Sequence, residues 1–108
     1  MRSSPVPALV WCPFPDARTA EVAAEVLLDE GLVACANMIG QIASIFTWQG
    51  QRERATETGV LLKTKSALLD RAVARLAALH PYDEPAIVGW VCDAAAPATA
   101  AWLGKLGQ

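Results

Sequence analysis

With 108 residues, 54% of them apolar and 19% charged, the chain is long enough to bury one core and reads as a single domain over residues 1–108. Its formal net charge of -2, from 9 Lys and Arg against 11 Asp and Glu with no dense basic cluster, excludes nucleic acid and anionic membranes as main partners, because both are held by basic patches. Residues Met1 to Pro5 lead into an apolar run broken by Pro7 and Pro13, too short for a signal core or a bilayer span, so a soluble cytoplasmic protein is expected.

Ala8-Leu9-Val10-Trp11-Cys12 reads as a buried strand that stops at the turn Pro13-Phe14-Pro15. Asp16 then caps a helix to Glu30 whose apolar positions Val22, Ala23, Val26 and Leu27 recur at helical spacing, and Gly31 stops it. From Leu32 to Trp48 the chain is apolar and increasingly β-like up to a polar turn at Gln49-Gly50-Gln51, which predicts a long hairpin. Its return arm carries Arg52, Glu53, Arg54 and Glu57 and becomes apolar at Val60-Leu61-Leu62. Ser66 is expected to cap a second helix with the apolar face Leu69, Ala72, Val73, Leu76 and Leu79. Pro81 ends that helix, so His80, the sole histidine, sits at its C-terminus, where the helix dipole and unpaired carbonyls favour a charged ring. Ile87 to Cys92 reads as a fourth strand, and Pro97 to Leu106 as a short terminal helix.

The order is therefore β-α-β-β-α-β with a tail helix: an α+β fold whose antiparallel sheet has the ferredoxin-like strand order 4-1-3-2. The three cysteines, Cys12, Cys35 and Cys92, are widely spaced among apolar residues, which argues against a disulfide framework and for small buried hydrophobes. The topology places the end of strand 1, the start of strand 3 and the approach to strand 4 at one end of the sheet. Cys12, Glu57 and His80 gather there, and a thiolate, a carboxylate and an imidazole are a donor set suited to copper or zinc.

Several segments resemble the CutA family of divalent-cation tolerance proteins: Cys12 with Pro15-Asp16 and Thr19-Ala20, Gly31 to Asn37, Ser44-Ile45-Phe46-Thr47-Trp48-Gln49-Gly50, Glu57, Leu61-Leu62-Lys63-Thr64, His80-Pro81-Tyr82 with Pro85, and Trp102-Leu103. The resemblance implies a homotrimer in which each hairpin, with Phe46, Trp48 and Gly50 towards its tip, reaches a neighbour. It also implies binding of copper or other divalent cations, at positions matching Cys12, Glu57 and His80. Ala86 stands where such proteins usually carry an acidic residue.

Plainer roles compete at each position. His80 can be a helix cap whose ring bonds a backbone carbonyl, Cys12 a buried strand cysteine, and Glu57 a solvated hairpin charge paired with Arg52 or Arg54. Trp48 on a lone hairpin would be an apolar liability, so burial against another subunit is expected. A Cys12–His80 nucleophile-base pair lacks an orienting third group and an oxyanion loop, so no enzyme and no catalytic residue is expected. The leading expectation is a non-enzymatic homotrimer handling copper or another divalent cation. The runner-up is a PII-like regulatory module binding a small molecule or protein between subunits, an argument from architecture alone.

Overall fold

Strand β1 (Pro7–Phe14) shows the two-residue period: Ala8, Val10, Cys12 and Phe14 are buried, while Leu9, Trp11 and Pro13 are partly covered. Helix α1 (Ala17–Asp29) starts where the Asp16 carboxylate accepts the Thr19 amide at 2.8 Å, and its chain turns away through Gly31 at φ 69°. β2 (Cys35–Trp48) and β3 (Gln51–Lys65) form the long hairpin. Its two-residue turn holds both Gln49 and Gly50 at positive φ, 50° and 79°, the type I′ geometry whose twist suits a hairpin. α2 (Leu69–Leu79), β4 (Val88–Val91) and α3 (Pro97–Gly104) follow. The computed structural model describes residues 6–107; the N-terminal stretch weighed above as a leader, residues 1–5, lies outside the described residues.

The sheet is antiparallel throughout with order β2-β3-β1-β4, the order read from the sequence. α1 and α2 contribute Ala20, Ala23, Leu27, Ala72 and Leu76 to one core with Val10, Cys12, Phe14, Val60 and Leu62 of the two central strands. Thr64, with no exposure, satisfies itself there by donating its hydroxyl to the Leu32 carbonyl at 2.7 Å. A bidentate pair between Arg75 and Glu30, with Nη2 to Oε2 at 2.8 Å, ties the two helices on their solvent side. The hairpin runs beyond this body and stretches the molecule to 52 × 26 × 22 Å.

Three local expectations are corrected. Ser66 does not cap α2: it opens a 3-10 turn over Ser66–Leu68, no side chain caps either segment, and the Ser66 amide donates to Val6 O at 2.8 Å. β4 is shorter than the run Ile87 to Cys92, spanning Val88–Val91, although the Cys92 amide still reaches Pro7 O at 2.9 Å. Pro13 does not stop β1, which continues to Phe14 with Pro13 opposite Gly59. In an antiparallel strand a residue's N–H and C=O face the same side. The odd-numbered residues of β1 face β4, as the Cys92–Pro7 bond shows, and β4 pairs only with Ala8 to Trp11. The missing amide of Pro13 therefore falls where no strand lies, and the ladder to β3 loses nothing.

Candidate functional site

The far end of β1 is where α2, the chain after it and β3 converge. His80 closes α2 in extended geometry, φ -71° and ψ 140°, as a residue before proline must. Its ring stacks on Phe14, centroids 4.2 Å apart and planes 25° apart. Both ring nitrogens are engaged: the Tyr82 amide donates to Nδ1 at 3.1 Å, and Nε2 lies 2.8 Å from the Pro13 carbonyl oxygen. An Nδ1 that accepts leaves the ring proton on Nε2, which donates to Pro13. The charged ring anticipated from the helix dipole is thus not the form these bonds call for, since an imidazolium has no lone pair for the Tyr82 amide.

Tyr82 extends the chain of contacts. Its ring lies 4.8 Å from that of His80, and its hydroxyl donates to Glu57 Oε2 at 3.0 Å. Burial first, then the bond to Glu57 and its charge, hold the phenol above its usual range. Glu57 is only 9% exposed, so it is not the solvated hairpin charge paired with Arg52 or Arg54. Beside it β2 carries a bulge, with Gly40 and Gln41 between partners Ile39–Gly59 and Ile42–Glu57, where the hairpin leaves the body. Cys12 has no exposed surface, and its thiol is pushed up to about 12, by burial first and by the Glu57 charge second.

Cys12, Glu57 and His80 thus lie towards one end of the sheet, as expected, but not as a ligand set. Cys12 pairs with Val60 and shares its helix-covered face, whereas Glu57, three residues along β3 from Val60, has the opposite parity and faces the other way. His80 approaches from the strand edge with both nitrogens occupied. Among the described residues no group of three or more His, Cys, Asp or Glu side chains is arranged to hold a metal ion. The donor chemistry suits copper or zinc, but the directions and the existing bonds do not fit an ion. Tyr82, quoted in the His-Pro-Tyr motif but given no role, is the residue that sequence reasoning missed; its signal was a hydroxyl placed two residues past the histidine. A surface cleft of about 300 Å³ lies at the opposite end of β1, by Gly31, Lys65 and Arg71, and contains none of these groups.

The second feature is apolar. Phe46 and Trp48 are 42% and 47% exposed on the hairpin, and Met38, Ile39 and Ile45 lie open along the same strand. Every residue of β4 is exposed, Val88 and Trp90 among them, at the opposite edge of the sheet. On the face away from α1 and α2 the Trp11 indole lies directly over Gly59, where even a β-carbon would collide with the ring.

A long hairpin interrupted by a bulge, a four-stranded antiparallel sheet and helices against it define the class to which solved CutA1 structures belong. The protein CutA1 from Ehrlichia chaffeensis is similar at TM-score 0.89 and 30% identity, covering 95% of this chain and 96% of that one. The divalent-cation tolerance protein CutA of Pyrococcus horikoshii is 40% identical over 80 residues, 74% of this chain and 78% of its own length. A CutA homolog from Danio rerio is 35% identical over 74% of this chain, which spans only 52% of that relative's length. The model of the family described as "CutA1 divalent ion tolerance protein" matches residues 8–105, and the chain belongs to that family.

Proposed function

We propose that this protein serves divalent-cation tolerance as a non-enzymatic homotrimer, its sheet having the right-handed crossovers of the ferredoxin-like arrangement. The observation that carries the assembly is the pair of exposed apolar edges, the β2 arm at one side of the sheet and β4 at the other. Two complementary edges on one molecule suit a head-to-tail ring, which closes when the rotation between copies is right. Exposed aromatic and branched side chains on a long projecting hairpin are what an oligomer buries. Membership of a family named for divalent ion tolerance supports the cation as what the protein handles. No reaction is assigned, because Cys12 is sequestered and the His80 nitrogens are both committed.

The test is light scattering on purified protein with titration of Cu(I), Cu(II) and Zn(II) against a competing chelator. A mass of three subunits with saturable cation binding supports the reading. A monomer sinks the assembly, and a trimer that competes for no cation sinks the function.

A further inference from the structure

Pro13 leaves β1 with a carbonyl facing a side where β4 has already ended. A buried carbonyl left without a donor is costly, so something must donate to it. The ring of His80 does so at 2.8 Å, from sixty-seven positions later in the chain, beside a longer, weaker contact from the Cys12 thiol at 3.5 Å. Its other nitrogen is held by the Tyr82 amide, and the Tyr82 hydroxyl reaches Glu57 on β3. Phe14, the last residue of β1, stacks on the ring from the core side. The three bonds run in series from β1, through the turn after α2, to β3.

We infer that His80, Tyr82 and Glu57 form a latch that finishes the β1 edge in place of β4 and fixes the chain entering that strand, and that the Cys12, Glu57 and His80 side chains do not coordinate metal. Each partner is already used. His80 offers a metal no free lone pair until the turn after α2 opens, and Glu57 and Cys12 belong to opposite faces of the sheet. Cations handled by the protein are held by other groups. The inference rests on contacts inside one chain and stands whether or not copies assemble.

The experiment is nitrogen-detected NMR of the single histidine in the intact, reduced protein during titration with Zn(II) and Cu(I), both diamagnetic. The expected spectrum has the proton on Nε2 and a bare, hydrogen-bonded Nδ1, unchanged up to one equivalent per subunit even where chelator competition registers binding. A stoichiometric shift of either imidazole nitrogen, with metal affinity lost in both His80→Gln and Cys12→Ser, overturns it. Two variants read the latch itself by hydrogen exchange. His80→Gln keeps an amide donor near Pro13 and is expected to protect residues 82–91 better than His80→Ala does. Tyr82→Phe, which loses only the hydroxyl, should raise exchange in the same segment severalfold. Equal protection in all three variants and the parent protein also overturns the inference. Absence of cation binding anywhere would defeat the proposed function and leave the latch intact.

Discussion

The body of the sheet and the tip of its hairpin share the same two strands but solve opposite problems. Where β3 passes β1 it carries Val60 and Leu62, both essentially without exposure, and even its carboxylate at Glu57 is covered and hydrogen-bonded. Beyond the bulge at Gly40 and Gln41 the strands have only each other, and Phe46 and Trp48 lie open. Polar groups inside and aromatic groups outside invert the usual pattern, and the two halves of the inversion have different causes. The inner polar groups finish this chain's own edges, whereas the outer aromatics are the surface that the proposed assembly would cover.

That contrast is broken most severely by truncating one phenylalanine at each end. Phe14→Ala should lose about 3–5 kcal/mol in denaturant unfolding, because the ring is fully buried and supports His80. Phe46→Ala should leave the fold's secondary structure intact and instead shift the proposed trimer towards smaller species on dilution, read by light scattering. Equal losses of unfolding free energy would erase the distinction. Gly59→Ala is the next largest effect, about 1–3 kcal/mol, since the new methyl meets the Trp11 indole; a blue or red shift of tryptophan emission should accompany it.

Two smaller effects sharpen the same comparison through pH. The Cys12 thiol, raised from 9.0 to about 12, binds its proton more tightly folded than unfolded, so its stability contribution is whole below the unfolded value and is lost as pH rises towards the folded one. Melting of the parent protein should therefore fall more steeply from pH 9 to 11 than that of Cys12→Ala, and iodoacetamide at pH 9 should label Cys35 and Cys92, both partly exposed, well before Cys12. Asp16 has the opposite sign. The Thr19 amide and hydroxyl hold its carboxyl below the usual aspartate range, so the cap stabilises at neutral pH and fades as pH falls through that lowered value. Asp16→Ala should lower the melting temperature at pH 7, with the difference from the parent shrinking in strong acid.

The order of elements was legible because its signals are local: the apolar period of α1, the Asp16 cap, Gly31, the proline after His80 and the Gln-Gly turn. What was not legible depends on partners distant in sequence. Whether Pro13 can sit inside a strand is decided by which side its nitrogen faces, a property of the whole sheet. Placing Cys12, Glu57 and His80 at one end needed only strand directions, but whether they face one ion needed strand parity and the position of Tyr82. His80 bonding a backbone carbonyl was among the readings weighed for it, and the identity of that carbonyl was not, because it lies in β1. Ser66 failed as a cap because the Leu69 amide that its hydroxyl would have served is taken by the Ser66 carbonyl in the 3-10 turn, and the exposure of β4 has no counterpart in composition at all.

The middle position of β1 has a kinetic meaning. Its pairing with β4 joins Ala8 to Val91, far apart in sequence, whereas β2 and β3 meet across a two-residue turn. Loop closure makes the first event slow and the second fast. The hairpin should acquire amide protection early in refolding, while the Pro13 carbonyl waits for α2 to deliver its histidine. The strand at the middle of the sheet is thus the last to be fully paired, and until then its open edge is the segment most exposed to mispairing.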